Sequence, residues 1–174
     1  FNCNYKIKEY FMSIISNILP IKEYFHERAV AVAHVTKSVK QPFLEILNDG
    51  RWHVYGIVIL NKIIGRIILF TNLEDKDLAD GKEVCYISNL WVHPKMRGKK
   101  IGSKLVRFVE KEAKKSGFEF LTLGVHKDNE KNMSIYSHMG FDKVVKSKFN
   151  DVVVKDENGN YITVKEYTVL MKKL

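Results

Sequence analysis

Apolar and polar positions change their spacing several times along the chain, and each change marks an element. Val54 to Leu60 is dense in β-branched residues and reads as a strand, and Ile63 to Phe70 reads as a second one. Asn61-Lys62 separates them, so the pair is expected to form a hairpin. Both runs are apolar almost throughout, which suits central strands covered on two faces, with Arg66 as the interruption. A polar stretch over 71–82 ends in Asp80-Gly81, and Val84 to Val92 forms the third strand, stopped by Pro94. From Gly102 to Lys115 the period becomes helical. Ile101, Leu105, Phe108 and Val109 fall three and four apart in one stripe, and Ser116-Gly117 supplies the stop. Phe120 to Val125 returns to strand, giving a strand–helix–strand unit with parallel outer strands.

Beyond it, Asn129 is a candidate N-cap for a short helix over Asn132 to Met139, with Met133, Tyr136 and Met139 on one side and Gly140 as its stop. Val144 to Val154 and Tyr161 to Met171 are expected as two strands around the turn over 156–160. The first fifty residues are mixed. Ile14, Ile15, Ile18 and Leu19 suit a helix that Pro20 ends, and the segment 23–39 fits a helix or a partly extended chain. Phe43 to Leu47 is a short apolar run before the turn Asn48-Asp49-Gly50. No repeat, linker or low-complexity tract divides the chain, so one α/β domain over 1–174 is expected.

Composition narrows the classes. Hydrophobic residues make up 45% of 174, enough for one core and against global disorder. No apolar run approaches the roughly twenty residues a membrane helix needs. The apolar stretch Phe11 to Leu19 is followed by Lys22 and Glu23 without a cleavage-site pattern, so no signal peptide or membrane association is expected. Cys3 and Cys85 do not make a disulfide framework, and neither has metal-ligand spacing with another Cys or His. A cytoplasmic protein with no metal is expected.

Charge changes the picture more. The formal charge is +9, and between His93 and Lys115 nine basic and two acidic residues leave a net +7 in one loop and helix. Such a cluster beside a glycine-bearing turn points to a phosphate-rich ligand, while the distal Lys111, Lys114 and Lys115 also fit a solvated helix face. The run Arg97-Gly98-Lys99-Lys100-Ile101-Gly102 follows a strand and opens a helix, where unsatisfied N–H groups and the helix dipole favour an anion. It matches neither a Walker A loop nor a dinucleotide fingerprint. By itself the turn fits an anion site and an ordinary surface turn equally.

The surrounding residues add to that reading. The stretch Leu90-Trp91-Val92-His93-Pro94-Lys95-Met96-Arg97-Gly98-Lys99-Lys100-Ile101-Gly102 closely resembles the acyl-CoA motif of the GNAT (GCN5-related) superfamily of N-acetyltransferases. So does the later series Asn129, Tyr136 and Gly140-Phe141. The likeness covers about residues 84–141 and is weaker over 54–70. It implies a GNAT-like α/β fold with a mixed, mostly antiparallel sheet whose fourth and fifth strands, here 84–92 and 120–125, splay apart. Acetyl-CoA is the implied cofactor. Its pantetheine would bond backbone near Leu90, Trp91 and Val92, and its diphosphate would sit on Arg97, Gly98, Lys99, Lys100, Ile101, Gly102 and Ser103. Asn129 would contact the pantetheine arm. The implied chemistry is direct attack of an amine on the thioester, with Tyr136 as the acid toward the leaving thiolate.

Three positions depart from the family pattern. Lys100 stands where the loop usually has Gly, Asn132 where the second helix usually has a small residue, and Ser88-Asn89 where many relatives carry a Glu base. Candidates for the base are therefore Glu83, His126, Asp128 or a water relay through Ser88. His93 reads as loop structure and Cys85 as a small core residue.

The acceptor is expected to be a small-molecule or peptide amine. The acidic stretch Glu74, Asp75, Asp77, Asp80 and Glu83 is either a border for a cationic amine or a solvated loop. By the resemblance, the N-terminal helices wall the acceptor side, where Tyr10, Phe11, Tyr24 and Phe25 touch an acceptor or pack. Two other classes compete: a nucleic-acid module, which lacks zinc ligands, a GXXG clamp and the paired aromatics of ribonucleoprotein motifs, and an acyl-CoA-binding domain without turnover. A homodimer is an expectation by analogy with the family alone.

Overall fold

The computed structural model describes residues 18–20, 50–60, 62–148, 153–155, 161–163 and 167–174. Strands β1 (Leu19–Pro20), β2 (Trp52–Ile59), β3 (Lys62–Phe70), β4 (Val84–Val92), β5 (Phe120–His126), β6 (Lys143–Lys148) and β9 (Tyr167–Lys173) build one sheet in the order β1-β2-β3-β4-β5-β9-β6. Helix α1 (Ile101–Lys115) links β4 to β5, and α2 (Glu130–His138) follows β5. Among the described strands only β4 and β5 run parallel; every other neighbouring pair in this sheet is antiparallel. A helix crossover returns the chain in the same direction, whereas the tight turn between β2 and β3 reverses it.

Several sequence expectations shift. Leu19 and Pro20 pair with Gly56 and Tyr55 as a short edge strand, where the pattern suggested the end of a helix. The rest of the N-terminal reading, 1–17 and 21–49, lies outside the described residues. Leu60 is not in a strand but in the β2–β3 turn, 91% exposed with a φ of 48°. The two long C-terminal strands prove to be four. Their outer parts join the main sheet as β6 and β9, while β7 (Val153–Lys155) and β8 (Tyr161–Thr163) pair with each other in a separate ribbon.

The apolar hairpin is covered on both faces, as its composition requires. One face carries Ile57, Ile67, Leu69, Cys85, Ile87, Leu121 and Leu123 against Ile101, Leu105, Val106, Val109 and Ala113 of α1. The other gathers Val54, Ile63, Ile68 and Phe70 with Trp52, Tyr86 and Trp91. Burying a side chain such as Leu105 or Val109 completely is worth about 1.5–3 kcal/mol. Helix α2 rests on the α1 face through Met133, Tyr136 and Met139. Lys172 of β9 ties these parts together: its ammonium donates to Glu110 of α1 (2.9 Å) and to the Met139 carbonyl at the end of α2 (2.7 Å).

The loop before β4 is a structural clamp. Asp80 accepts N–H bonds from Lys82, Glu83 and Val84 at 2.8–2.9 Å. Burial pushes its pKa upward, and these backbone bonds outweigh that and leave it lowered. Lys146 of β6 donates to both Asp75 and Asp77 (2.6 Å each), and the buried Thr122 hydroxyl donates to the Leu78 carbonyl (2.6 Å). The acids Asp75, Asp77 and Asp80 thus hold the Val84 end of β4.

Gly65 sets the distance between helix and sheet. A Cβ there would stand 2.9 Å from Ile101 Cγ2 and 3.1 Å from Leu105 Cδ1. Gly65→Ala is therefore expected to destabilise the fold by about 1–3 kcal/mol through overpacking. Urea unfolding checks this, and an unchanged midpoint would mean that α1 can retreat freely.

Candidate active site

The site begins where a pairing ends. β4 and β5 are in register from Val84–Phe120 to Ile87–Leu123 and no further. Beyond that point β4 stays with β3 up to Val92, and β5 stays with β9 up to His126. The β3–β4 register shifts between Arg66 and Ile68, which places one extra residue in β4, and Asn89 takes a left-handed φ of 54°. Such a bulge bends a strand and increases its twist. Backbone groups of Ser88 onward and Gly124 onward therefore face an opening instead of a ladder, and they need another partner.

The bulge also sorts side chains. Leu90 and Val92 lie on the α1 side, and their methyl carbons would be 3.9 and 3.8 Å from a Cβ on Gly102. Trp91 lies on the other face beneath the Arg66 guanidinium, 5.5 Å from its ring centre, while Arg66 also reaches Asn89 Oδ1 at 3.4 Å. Next come the turn and the start of α1. His93 caps a short 3₁₀ turn (Pro94–Met96), accepting the Lys95 N–H at Nδ1 (3.3 Å), in line with its reading as loop structure. Arg97 donates from Nε to the Val92 carbonyl (3.2 Å), so this carbonyl already has one donor. Gly98 has a φ of 76° with open space around it.

Lys100 is the N-cap of α1 in a left-handed conformation (φ 59°, ψ 16°), and no side chain caps this end. The first intrahelical bond runs from Lys104 N–H to the Lys100 carbonyl (3.0 Å), so the N–H groups of Ile101, Gly102 and Ser103 project from the helix end. Exposed Lys95, Arg97, Lys99 and Lys100 surround it. The Ile101 side chain is 1% exposed and packs in the core, so only its backbone is open at the helix end. Ser103 also lines a cavity of about 440 Å³ between α1 and α2, with Arg107, Glu110, Ile135, His138 and Lys172.

Asn129 caps α2, accepting the Asn132 N–H at Oδ1 (3.0 Å). This leaves its amide nitrogen as a donor. Tyr136, about two turns on, packs edge-to-face on Phe141 (6.1 Å), and burial raises its pKa above that of a free phenol. The phenol is therefore protonated at neutral pH and well above it.

The candidate bases separate. Ser88 stands at the mouth of the opening. Glu83 does not come with it: it is exposed at the closed end of β4, where its carbonyl takes the Glu119 and Phe120 N–H groups (2.9 and 3.0 Å). His126, the last residue of β5, and Asp128 just beyond it are exposed. Burial pushes the Cys85 thiol up to about 12, and its sulfur donates to the Phe120 carbonyl, so it behaves as core.

Tyr86, Gly124 and Tyr167 escaped the sequence reading. A Cβ on Gly124 would lie 3.2 Å from the Tyr86 hydroxyl and 3.0 Å from the Tyr167 ring. Strand alternation was the available signal, since Tyr86 precedes Ser88 by two and shares its face.

A sheet opened between two parallel strands, with a bare helix N-terminus and a glycine-bearing basic turn beside the opening, defines an acyl-CoA-binding acyltransferase fold. The chain matches the acetyltransferase (GNAT) family over residues 19–141 and belongs to it. Among solved structures it is similar to an IAA acetyltransferase from Bacillus cereus (22% identity, 91% of this chain and 99% of that one, TM-score 0.62). It is also similar to a GNAT family acetyltransferase from Elizabethkingia anophelis with acetyl-CoA bound (22%, 80% and 84%, TM-score 0.57). A third is the ribosomal-protein-S18-alanine N-acetyltransferase from Escherichia coli (16%, 90% and 92%, TM-score 0.62). At these identities the likeness is one of fold. No match appears among curated proteins.

The left-handed backbone at Lys100 yields a direct test. Lys100→Gly is expected to raise stability by about 0.5–1 kcal/mol, because glycine adopts this φ without a Cβ clash. A denaturation midpoint equal to or below that of the parent protein would show that the Lys100 stem compensates through its packing.

Proposed function

We propose that the protein transfers the acetyl group of acetyl-CoA directly to a primary amine, with Tyr136 donating a proton to the leaving thiolate. The observation that carries this reading is the opening between β4 and β5, with the bare N-terminus of α1 at one side and Tyr136 packed on the same α1 face of the sheet. Bound acetyl-CoA supplies the electrophilic thioester carbonyl. The backbone N–H groups of Ile101, Gly102 and Ser103, with Arg97, Lys99 and Lys100, would hold the diphosphate, and the loop of Gly98 leaves it room. Backbone of Leu90, Trp91 and Val92 and the Asn129 amide would hold the pantetheine arm. A protonated Tyr136 suits the acid role because burial keeps its pKa above the phenol value of about 10.

For the acceptor, a small-molecule or peptide amine is favoured over a nucleic acid, since the basic cluster concentrates at the anion-binding turn. The acidic loop gives no support to a polycationic acceptor, because Lys146 and backbone N–H groups occupy Asp75, Asp77 and Asp80. Among the described residues no helix is long and apolar enough to cross a membrane. A second reading, acyl-CoA binding without turnover, draws on Glu83 standing at the closed end of β4.

CoA release from acetyl-CoA, measured against polyamines, aminoglycosides, amino acids and peptides, decides between the two. Turnover with one class is expected. Acetyl-CoA binding with no CoA release on any of them would favour the second reading. With the acceptor so found, Tyr136→Phe should lower kcat by about 10²-fold or more, while the Kd for acetyl-CoA stays within about twofold. An unchanged kcat would remove Tyr136 from the acid role.

A further inference from the structure

The apolar stripe that seats α1 on the sheet leaves an equally regular stripe of charge on the other side of the helix. Ile101, Leu105, Val106, Val109 and Ala113 are buried and share one side. Lys104, Arg107, Lys111, Lys114 and Lys115 recur three and four apart, and at about 100° per residue they fall within an arc of about 100° roughly opposite the buried side. Lys104 is half-buried, and Arg107, Lys111, Lys114 and Lys115 are exposed. This row starts beyond the turn assigned to the diphosphate, where Lys100 is the N-cap.

The two acids of α1 do not cancel this charge. Glu110 pairs with Lys172 of β9 (2.9 Å), and Glu112 pairs with Lys115 (2.6 Å). Among the described residues no carboxylate pairs with Lys104, Arg107, Lys111 or Lys114. Like charges three and four apart on a helix repel one another, and Lys104 in the first turn also opposes the helix dipole. Both effects destabilise the isolated helix, and an anionic partner along the row reverses both.

We infer that the exposed ridge of α1 docks the protein on double-stranded nucleic acid through the phosphate backbone. From Lys104 to Lys114 the row spans about 15 Å, a length along which a duplex presents about nine phosphates. Cations spread along a line match a repeating anion, whereas a single bound phosphate needs them to converge on one point. An anionic membrane is the poorer match, because a helix lying on lipid needs apolar side chains on the face it presents, and those of α1 pack in the core. A single strand is poorer too, since its bases need aromatic side chains to stack on. Phe108, the one aromatic residue of α1, packs edge-to-face on Tyr55 at 5.1 Å. Nucleic acid is here a docking partner and not the acetyl acceptor, so the inference is independent of the acetyl-transfer reading.

The test titrates the full-length protein with mixed-sequence DNA and RNA duplexes of about 20 base pairs, longer than the row. At least one is expected to bind with a Kd at or below about 10 μM in about 0.15 M salt, and log K should fall against log salt with a slope of about −3 to −5. Lys111→Gln with Lys114→Gln should weaken binding about 10-fold and make the slope shallower by about 2, and Arg107→Gln should make it shallower by about 1. These positions are exposed, so circular dichroism should be unchanged, and the Kd for acetyl-CoA should stay within about twofold. Lys62→Gln with Lys82→Gln removes the same charge from exposed sites away from α1 and should change duplex affinity by less than about twofold. Duplex binding should also persist in saturating acetyl-CoA. Several results would overturn the inference: no binding to either duplex, an equal loss in the Lys62/Lys82 pair, or tighter binding of the matching single strands. So would binding to phosphatidylserine vesicles that the Lys111/Lys114 pair abolishes. Displacement of the duplex by acetyl-CoA would overturn it as well, by assigning the row to the cofactor.

Discussion

The parallel pairing of β4 with β5 stops after Ile87 and Leu123, and the rest of the site depends on that stop. Two neighbouring strands separate only if each is held elsewhere. β3 holds β4 through Val92, β9 holds β5 through His126, and the bulge at Asn89 turns β4 away without breaking its contact with β3. The close approach of α1 over Gly65 keeps the start of this helix beside the diverging end of β4, so the opening and the basic, glycine-bearing turn stay together. The backbone groups thus freed are what a pantetheine arm, itself a chain of amides, can satisfy.

At the turn, electrostatics and backbone strain act against each other. A left-handed lysine costs more than a left-handed glycine, and Lys100 occupies such a position with its side chain in solvent. The same residue adds a positive charge at a helix end that is already positive by its dipole. For an isolated fold both terms are unfavourable. With a diphosphate at the helix end the second becomes favourable and can exceed the first, because charge-assisted bonds to phosphate are about twice as strong as neutral ones. Selection for cofactor binding over stability is a physical account of this lysine.

What was legible in the sequence follows from the range of each interaction. The β4 strand and α1 emerge from local periodicity, since one face of each is fully buried, and the caps Asn129, Gly117 and Gly140 act within a turn of their helices. The opening itself was legible only through resemblance, because no local pattern says where two strands cease to pair. The split of the C-terminal strands escaped for the same reason: alternation marks an extended chain but not its partner. The loop acids fit both a cleft border and a solvated loop because Lys146, about seventy residues later, cannot be assigned to Asp75 and Asp77 from the chain alone. Tyr86 carries no local signal, because an aromatic residue in an apolar strand reads as packing, and no carboxylate projects from that strand's centre.

In place of a carboxylate, the centre of β4 carries Tyr86 and Ser88 on the face away from α1, and Tyr136 packs on the α1 face. All are neutral. Burial already raises the pKa of both tyrosines, so an ionised carboxylate in the same surroundings would meet the same desolvation and would itself be driven toward its protonated form unless a cation paired with it. Neutral hydroxyls avoid that penalty and can both give and accept a proton, which a resident carboxylate cannot do in one state. Neutral hydroxyls can therefore lie close to an apolar core without the cost of burying a charge.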